Sequence, residues 1–234
     1  MNLKVIIPAR EGSKGLPGKN LKLLNGKPLI DYSIETSLKL FDEESIILTS
    51  DSKDIIERGL KHGVRIINRP KEIARDDSKI IDTILHAVDF TKELYGENIE
   101  DIILLQPTFP IRDHLEIKNA VNYFYKEDLD SLVSVINMKE HPCECISLSQ
   151  KKHEWSFLID PNKVTNRQLY PGEYLFINGN FYISKIEFLK KNKSFFSRNT
   201  NFFKCKSKYS IDIDDIDDFE YAEYCMLKLE NVSE

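Results

Sequence analysis

Residues 6–21 read IIPAREGSKGLPGKNL, a short apolar run that passes into a loop carrying Gly12, Gly15 and Gly18 among the cations Arg10, Lys14 and Lys19. Glycines let a backbone come close to an anion, and the basic side chains supply the opposite charge, so the stretch reads as a clamp for a nucleoside triphosphate. It is not a Walker A loop, because the interval from Gly12 to Gly18 is one residue too long and Lys19 is followed by Asn20 instead of Ser or Thr. Nor is it the dinucleotide fingerprint, since its glycines recur every third residue. A flexible basic loop without a ligand is the plain alternative, and the rest of the chain has to decide.

Working outward, residues 3–8 are apolar and rich in β-branched side chains, which predicts a buried first strand with the clamp at its C-terminal end. Downstream, Leu29, Ile30, Ile34, Leu38 and Phe41 recur at helical spacing over residues 28–41. Strands follow at 45–50, 64–67, 101–106 and from 131, separated by helices at 54–62, at 78–94 and after Asp113. Asp77 or Ser78 is expected to cap the second of these helices, and Asp113 with Glu116 forms a capping-box pattern at the third. Alternation of this kind predicts an α/β fold, a doubly wound and mainly parallel sheet with its ligand beyond the C-terminal strand ends. The clamp, Asp51 and Gln106 all fall at such ends.

Residues 139–175 break the rhythm. They are polar, include Trp155 and three prolines, and are too long for an ordinary connection within a single domain spanning 1–234. A mobile lid and a segment that crosses to a second subunit both fit. Strand character returns at 176–183 and 201–205, a helical turn at 186–190, and a last amphipathic helix runs through Phe219, Ala222, Met226 and Leu229, capped by Asp214 or Asp215. In SIDID, residues 210–214, the carboxylates Asp212 and Asp214 share one face if the backbone is extended. Two such groups repel unless a cation lies between them, and Mg²⁺ suits one or two carboxylates completed by water and phosphate. A solvated acidic turn ahead of a helix is the alternative.

Composition limits the partners. A net charge of −5 argues against broad nucleic-acid binding but allows a local basic pocket. No run approaches the roughly 20 apolar residues of a membrane span, and VII is too short for a signal-peptide core, so a cytoplasmic protein that inserts in no membrane is expected. Cys143, Cys145, Cys205 and Cys225 match no zinc spacing and read as reduced thiols.

Beyond these local readings, IPAREGSKGLPGKNLK is similar to the N-terminal signature of the acylneuraminate cytidylyltransferases, the CMP-sialic acid synthetases, within the wider group of sugar nucleotidyltransferases. The resemblance continues in order through Arg69-Pro70 with Ala74 and Asp76, LLQPTFPIR at 104–112, NRQ at 166–168, NGNFYI at 178–183 and SIDID. It implies a Rossmann-like nucleotidyltransferase that uses CTP and Mg²⁺ to convert a nine-carbon 2-keto sugar acid (an N-acylneuraminate) into its CMP-sugar and pyrophosphate. It further implies a homodimer in which residues 139–175 reach the partner's sugar pocket. By the same resemblance, Arg10 and Lys14 hold the β- and γ-phosphates with help from Ser13, and Lys19 stabilises the α-phosphate. Asn20 and Arg69 contact the nucleotide, with Asp76 and Ser78 near its base. Gln106 bonds the acceptor sugar, Arg167 meets its carboxylate, and Asp212 and Asp214 ligate the metal.

Three departures bear on the sugar. HPCE puts Glu144 where family members using N-acetylneuraminate often carry lysine, NGN puts Asn180 where they carry alanine, and Phe109 stands where many have serine. A bacterial nonulosonate such as legionaminate is therefore an alternative acceptor, the octulosonate transferase a more distant one, and a noncatalytic CTP-binding partner the alternative from outside enzymology.

Overall fold

In a computed structural model, residues 2–148, 154–160, 166, 170 and 172–230 are described. In chain order the strands are β1 (Leu3–Pro8), β2 (Leu23–Leu24), β3 (Lys27–Pro28), β4 (Ile46–Ser50), β5 (Arg65–Asn68), β6 (Asp101–Leu104), β7 (Ser131–Asn137), β8 (Ile146–Leu148), β9 (Trp155–Phe157), β10 (Leu175–Lys185) and β11 (Asn201–Lys204). The helices are α1 (Leu29–Leu38), α2 (Lys53–Lys61), α3 (Ile80–Tyr95), α4 (His114–Lys126), α5 (Ile186–Asn192) and α6 (Ile216–Glu230).

Seven strands form one sheet in the order β11-β7-β10-β6-β1-β4-β5. β10 runs antiparallel to both its neighbours, and every other pairing in the sheet is parallel. The period of two along each strand sorts its side chains between two cores. Val5, Ile7, Ile46, Leu48 and Ile103 pack with Ile30 and Ile34 of α1, Ile55 of α2 and Phe124 of α4. Ile6, Ile47, Ile102 and Leu104 pack on the other face with Ile81, Ile84 and Val88 of α3 and Leu189 of α5. Strands covered on both faces have to be apolar throughout, which is why these read as unbroken Ile, Leu and Val runs. α6 joins neither layer. Its Phe219, Ala222, Cys225 and Met226 close over Leu16 of the clamp, Leu24 of β2 and Leu29 of α1, so the last helix braces the N-terminal loop.

Several local expectations need correction. Asp113 caps α4 by accepting from the Leu115 amide, but Glu116 turns away from the cap and accepts from the Lys206 amide, so the box is half made. Neither Asp77 nor Ser78 caps α3. The helix begins at Ile80, and the Ser78 hydroxyl instead accepts from the Arg75 amide, 3.1 Å away, within a turn. Asp215 does open α6: it accepts from the Asp218 amide at 3.0 Å while Asp218 accepts from the amides of Asp214 and Asp215. The β2–β3 hairpin was not anticipated, although Asn25-Gly26, both at positive φ, is the dipeptide that a two-residue hairpin turn favours.

Within residues 139–175, β8 and β9 pair as a ribbon that leaves Ile146, Leu148, Trp155 and Phe157 exposed. Among the described residues no helix is long and apolar enough to cross a membrane.

Candidate active site

The chain leaves β1, β5 and β6 at their C-terminal ends through Arg10, Arg69 and Gln106, and these three border one cavity of about 300 Å³. Ser13, Lys19, Asn20, Asp76, Ser78, Asp212 and Asp214 line the same cavity. Lys14 stands beside it, its Nζ 3.2 Å from Asp76. Arg167 lies outside the described residues. Three further polar lining residues were missed: Arg75 in the loop after β5 and Thr83 on α3, which carry no motif, and Thr108, which lies within LLQPTFPIR but was not singled out.

The clamp is held from beneath. Lys19 is 7% exposed, and its Nζ donates to the Ile213 carbonyl at 2.5 Å and lies 3.7 Å from Asp214 Oδ1. Asn20 Nδ2 donates to the Arg10 carbonyl at 2.9 Å, fixing where the loop leaves the sheet. Gly15 packs directly against the backbone of Asp214: a β-carbon there would sit 2.2 Å from the Asp214 carbonyl oxygen. A lone methyl would force apart the two segments that carry the cations and the carboxylates.

Two of the clamp's cations face an internal anion. Arg10 Nη1 lies 2.6 Å from one oxygen of Asp76 and Lys14 approaches the other. The Lys14 hydrogen bond, with Arg10 adding to it, holds the Asp76 carboxyl below its ordinary pKa. Arg69 is buried and donates to the Thr49 carbonyl at 2.7 Å, while its Nε has no partner. Burial pulls its pKa down to about 10, with Arg10 acting in the same direction and Asp51 opposing, so it remains a cation at neutral pH.

Across the cavity, Ile211 and Ile213 are buried under α6 while Asp212 and Asp214 are exposed towards the opening, the alternation expected of extended chain. The Ile213 amide donates to the Thr108 carbonyl at 2.8 Å. Asp212 opens on the cavity but has protein on most other sides. That burial raises its pKa first, and the Asp214 charge adds to the rise, against a hydrogen bond from Thr108 and the nearby cations. Gly179, at φ 75°, brings β10 so near that a β-carbon would lie 3.2 Å from Asp212 Oδ2. Two carboxylates that repel across an open cavity fit the needs of Mg²⁺. Among the described residues no group of three or more His, Cys, Asp or Glu could hold a metal.

The loop over 106–112 is secured by Arg112, which donates to the carbonyls of Gln106 at 2.6 Å and Asn180 at 2.9 Å and to the Ser33 hydroxyl at 2.9 Å. The Asn180 side chain is fully buried, with Nδ2 3.5 Å from Cys205 Sγ. No histidine among the described residues lines the cavity. His86 stacks on Phe90, and His141 accepts from the Cys143 amide.

The sequence pattern of the family described as Cytidylyltransferase matches residues 4–231. The chain is 33% identical to an N-acylneuraminate cytidylyltransferase of Streptococcus agalactiae over 92% of its own length and 51% of that protein. It thus spans about half the length of the curated relatives of that name. It is 34% identical to the CMP-N,N'-diacetyllegionaminic acid synthase of Legionella pneumophila over 97% of each chain. Among solved structures, CMP:2-keto-3-deoxy-manno-octonic acid synthetase complexed with CTP superposes with a TM-score of 0.70 at 16% identity, covering 97% of this chain and 99% of that one, a likeness of fold. With a family pattern that runs through all seven strands of the sheet and through the cavity at their ends, this chain belongs to the cytidylyltransferase family.

Proposed function

We propose that this protein transfers CMP from CTP to the anomeric hydroxyl of a nine-carbon, sialic-acid-type 2-keto sugar acid (an N-acylneuraminate), releasing pyrophosphate. The observation that carries this reading is the meeting of Arg10, Lys19 and Arg69 with Asp212 and Asp214 in one cavity at the strand ends. In-line displacement at phosphorus needs positioning and charge neutralisation more than covalent help from the protein. Arg10 and Lys14 exchange Asp76 for the β- and γ-phosphates, assisted by Ser13. Lys19, anchored on Ile213, meets the charge that builds on the α-phosphate. Asn20 and Arg69 contact the nucleotide, and Asp76 and Ser78 line the same cavity. Gln106 orients the sugar and Arg167 its carboxylate. Asp212 and Asp214 would hold Mg²⁺, whose chemistry is to neutralise phosphate charge.

The exposed apolar ribbon of β8 and β9 supports a homodimer in which residues 139–175 lean on a second copy. CTP is a cytoplasmic metabolite, and the protein is read as working there. Legionaminate stands as a second acceptor on a specific ground: the Legionella relative matches along 97% of both chains, and Glu144 occupies a place where lysine is usual for N-acetylneuraminate.

Pyrophosphate release with CTP and Mg²⁺ against N-acetylneuraminate, legionaminate, pseudaminate and the octulosonate tests the reading. Turnover with CTP and one nonulosonate, lost in Lys19→Ala and stripped of Mg²⁺ dependence in Asp212→Asn, is expected. A folded protein that binds CTP and turns over none of these acids would be the noncatalytic partner instead.

A further inference from the structure

Arg112 closes the QPTFPIR stretch, yet it does not line the cavity. It stands behind the 106–112 loop, where its guanidinium reaches three pieces of chain at once. Nη2 donates to the Gln106 carbonyl, Nε to the Asn180 carbonyl on β10, and Nη1 to Ser33 on α1. Its Cζ lies 5.4 Å from the centre of the Phe109 ring. Burial pulls the Arg112 pKa down to about 9 and the Asp212 charge opposes that fall. A buried cation is expensive to place, and a well-packed apolar side chain could fill the same space at similar or better stability. Two of the three elements that it grips meet at Asp212. The 106–112 loop carries Gln106 and Thr108, β10 carries Gly179 next to Asn180, and both Thr108 and Gly179 press on Asp212.

We propose that Arg112 is a positioning residue for the acceptor side of the site, its guanidinium setting the Gln106 backbone and the β10 backbone beside Gly179 at a fixed separation without touching substrate. The proposal rests on the reading of Gln106 as the sugar-contacting residue. A guanidinium serves because its planar fork presents donors in three fixed directions; an ammonium on a flexible stem keeps the charge and loses the geometry.

Two measurements on Arg112→Lys, with Ser33→Ala as a milder variant that removes one of the three acceptors, decide the matter. First, steady-state pyrophosphate release with N-acetylneuraminate or legionaminate should show the KM for the sugar acid raised about tenfold in Arg112→Lys and less in Ser33→Ala, with the KM for CTP unchanged. A sugar KM equal to wild type, or equal rises for sugar and CTP, overturns the proposal. Second, amide hydrogen exchange needs no turnover. Protection should fall at Phe109, bonded to the Gln106 carbonyl, and at Ile213, bonded to the Thr108 carbonyl, while β1 and β4 keep theirs. Unchanged protection at both amides overturns the proposal by itself, and loss throughout the sheet reduces Arg112 to a general stabiliser and overturns it as well. A wild-type protein silent on every nonulosonate refutes the functional reading, while the exchange result still judges the latch.

Discussion

Gly15→Ala is the substitution whose consequence follows most directly from the coordinates. The added β-carbon would lie 2.2 Å from the Asp214 carbonyl oxygen, where contact between such atoms needs more than 3 Å. Either the clamp or residues 212–214 must withdraw by about 1 Å, and neither partner is the loose end of a side chain. Gly15 is not among the glycines at positive φ, so alanine brings no backbone strain of its own. The shift falls on the site, because the same segment supplies the Ile213 carbonyl that holds Lys19 Nζ at 2.5 Å. Misplacement of reacting groups by about 1 Å is worth on the order of 10²-fold in rate, against about 1 kcal/mol or less of stability at so exposed a turn. Pyrophosphate release under saturating CTP and sugar, with the melting temperature as control, measures both. A kcat within twofold of wild type and an unaltered Mg²⁺ dependence would show that the contact between clamp and carboxylates has no bearing on chemistry.

Other perturbations separate function from stability. Asp76→Asn removes the anion that pairs with Arg10 and Lys14, so calorimetric CTP binding should tighten slightly, because solvent-screened ion pairs are weak; weaker binding would mean that Asp76 organises the clamp instead of competing for it. Arg58→Met strands the fully buried Asp31, whose oxygens accept from Arg58 Nε at 2.8 and 2.9 Å and lie 3.3 Å from His62. With Arg58 itself a third exposed, about 2–3 kcal/mol should be lost, lowering the melting temperature by roughly 5–10 °C; an unchanged melting curve would contradict it. Glu97 bonds Arg65 and Lys4, each at 2.9 Å, which holds its carboxyl down at about 2. A depressed carboxyl stabilises above its unfolded pKa and loses that contribution as pH falls through the folded value, so wild type should weaken between about pH 4.5 and 2. Glu97→Gln should flatten that limb, and identical acid profiles would refute the assignment.

The central parallel strands β1, β4 and β6 were legible because each is covered on both faces, and full burial leaves its mark as unbroken apolar runs such as Val5 to Ile7 and Ile102 to Leu105. The direction of β10 was not legible: an antiparallel strand between β6 and β7 is as apolar as a parallel one, and pairing is decided by which neighbours the chain has left open. Glu116 misled for a similar reason, since its capping role was taken by a contact 90 residues away in sequence.

Residue chemistry alone made the α/β order legible and marked the glycine- and cation-rich loop and the carboxylate pair as candidates, because glycines, cations and periodic burial act locally and leave local traces. Only the tertiary structure decided that Gly15 must be bare, that Asp76 answers Arg10, and that Arg112 ties α1, β10 and the Gln106 loop together. Apart from the Arg112–Gln106 bond within one loop, those are contacts between segments far apart in sequence, fixed by the closing of the sheet and of α6 over it, and no single stretch contains both partners.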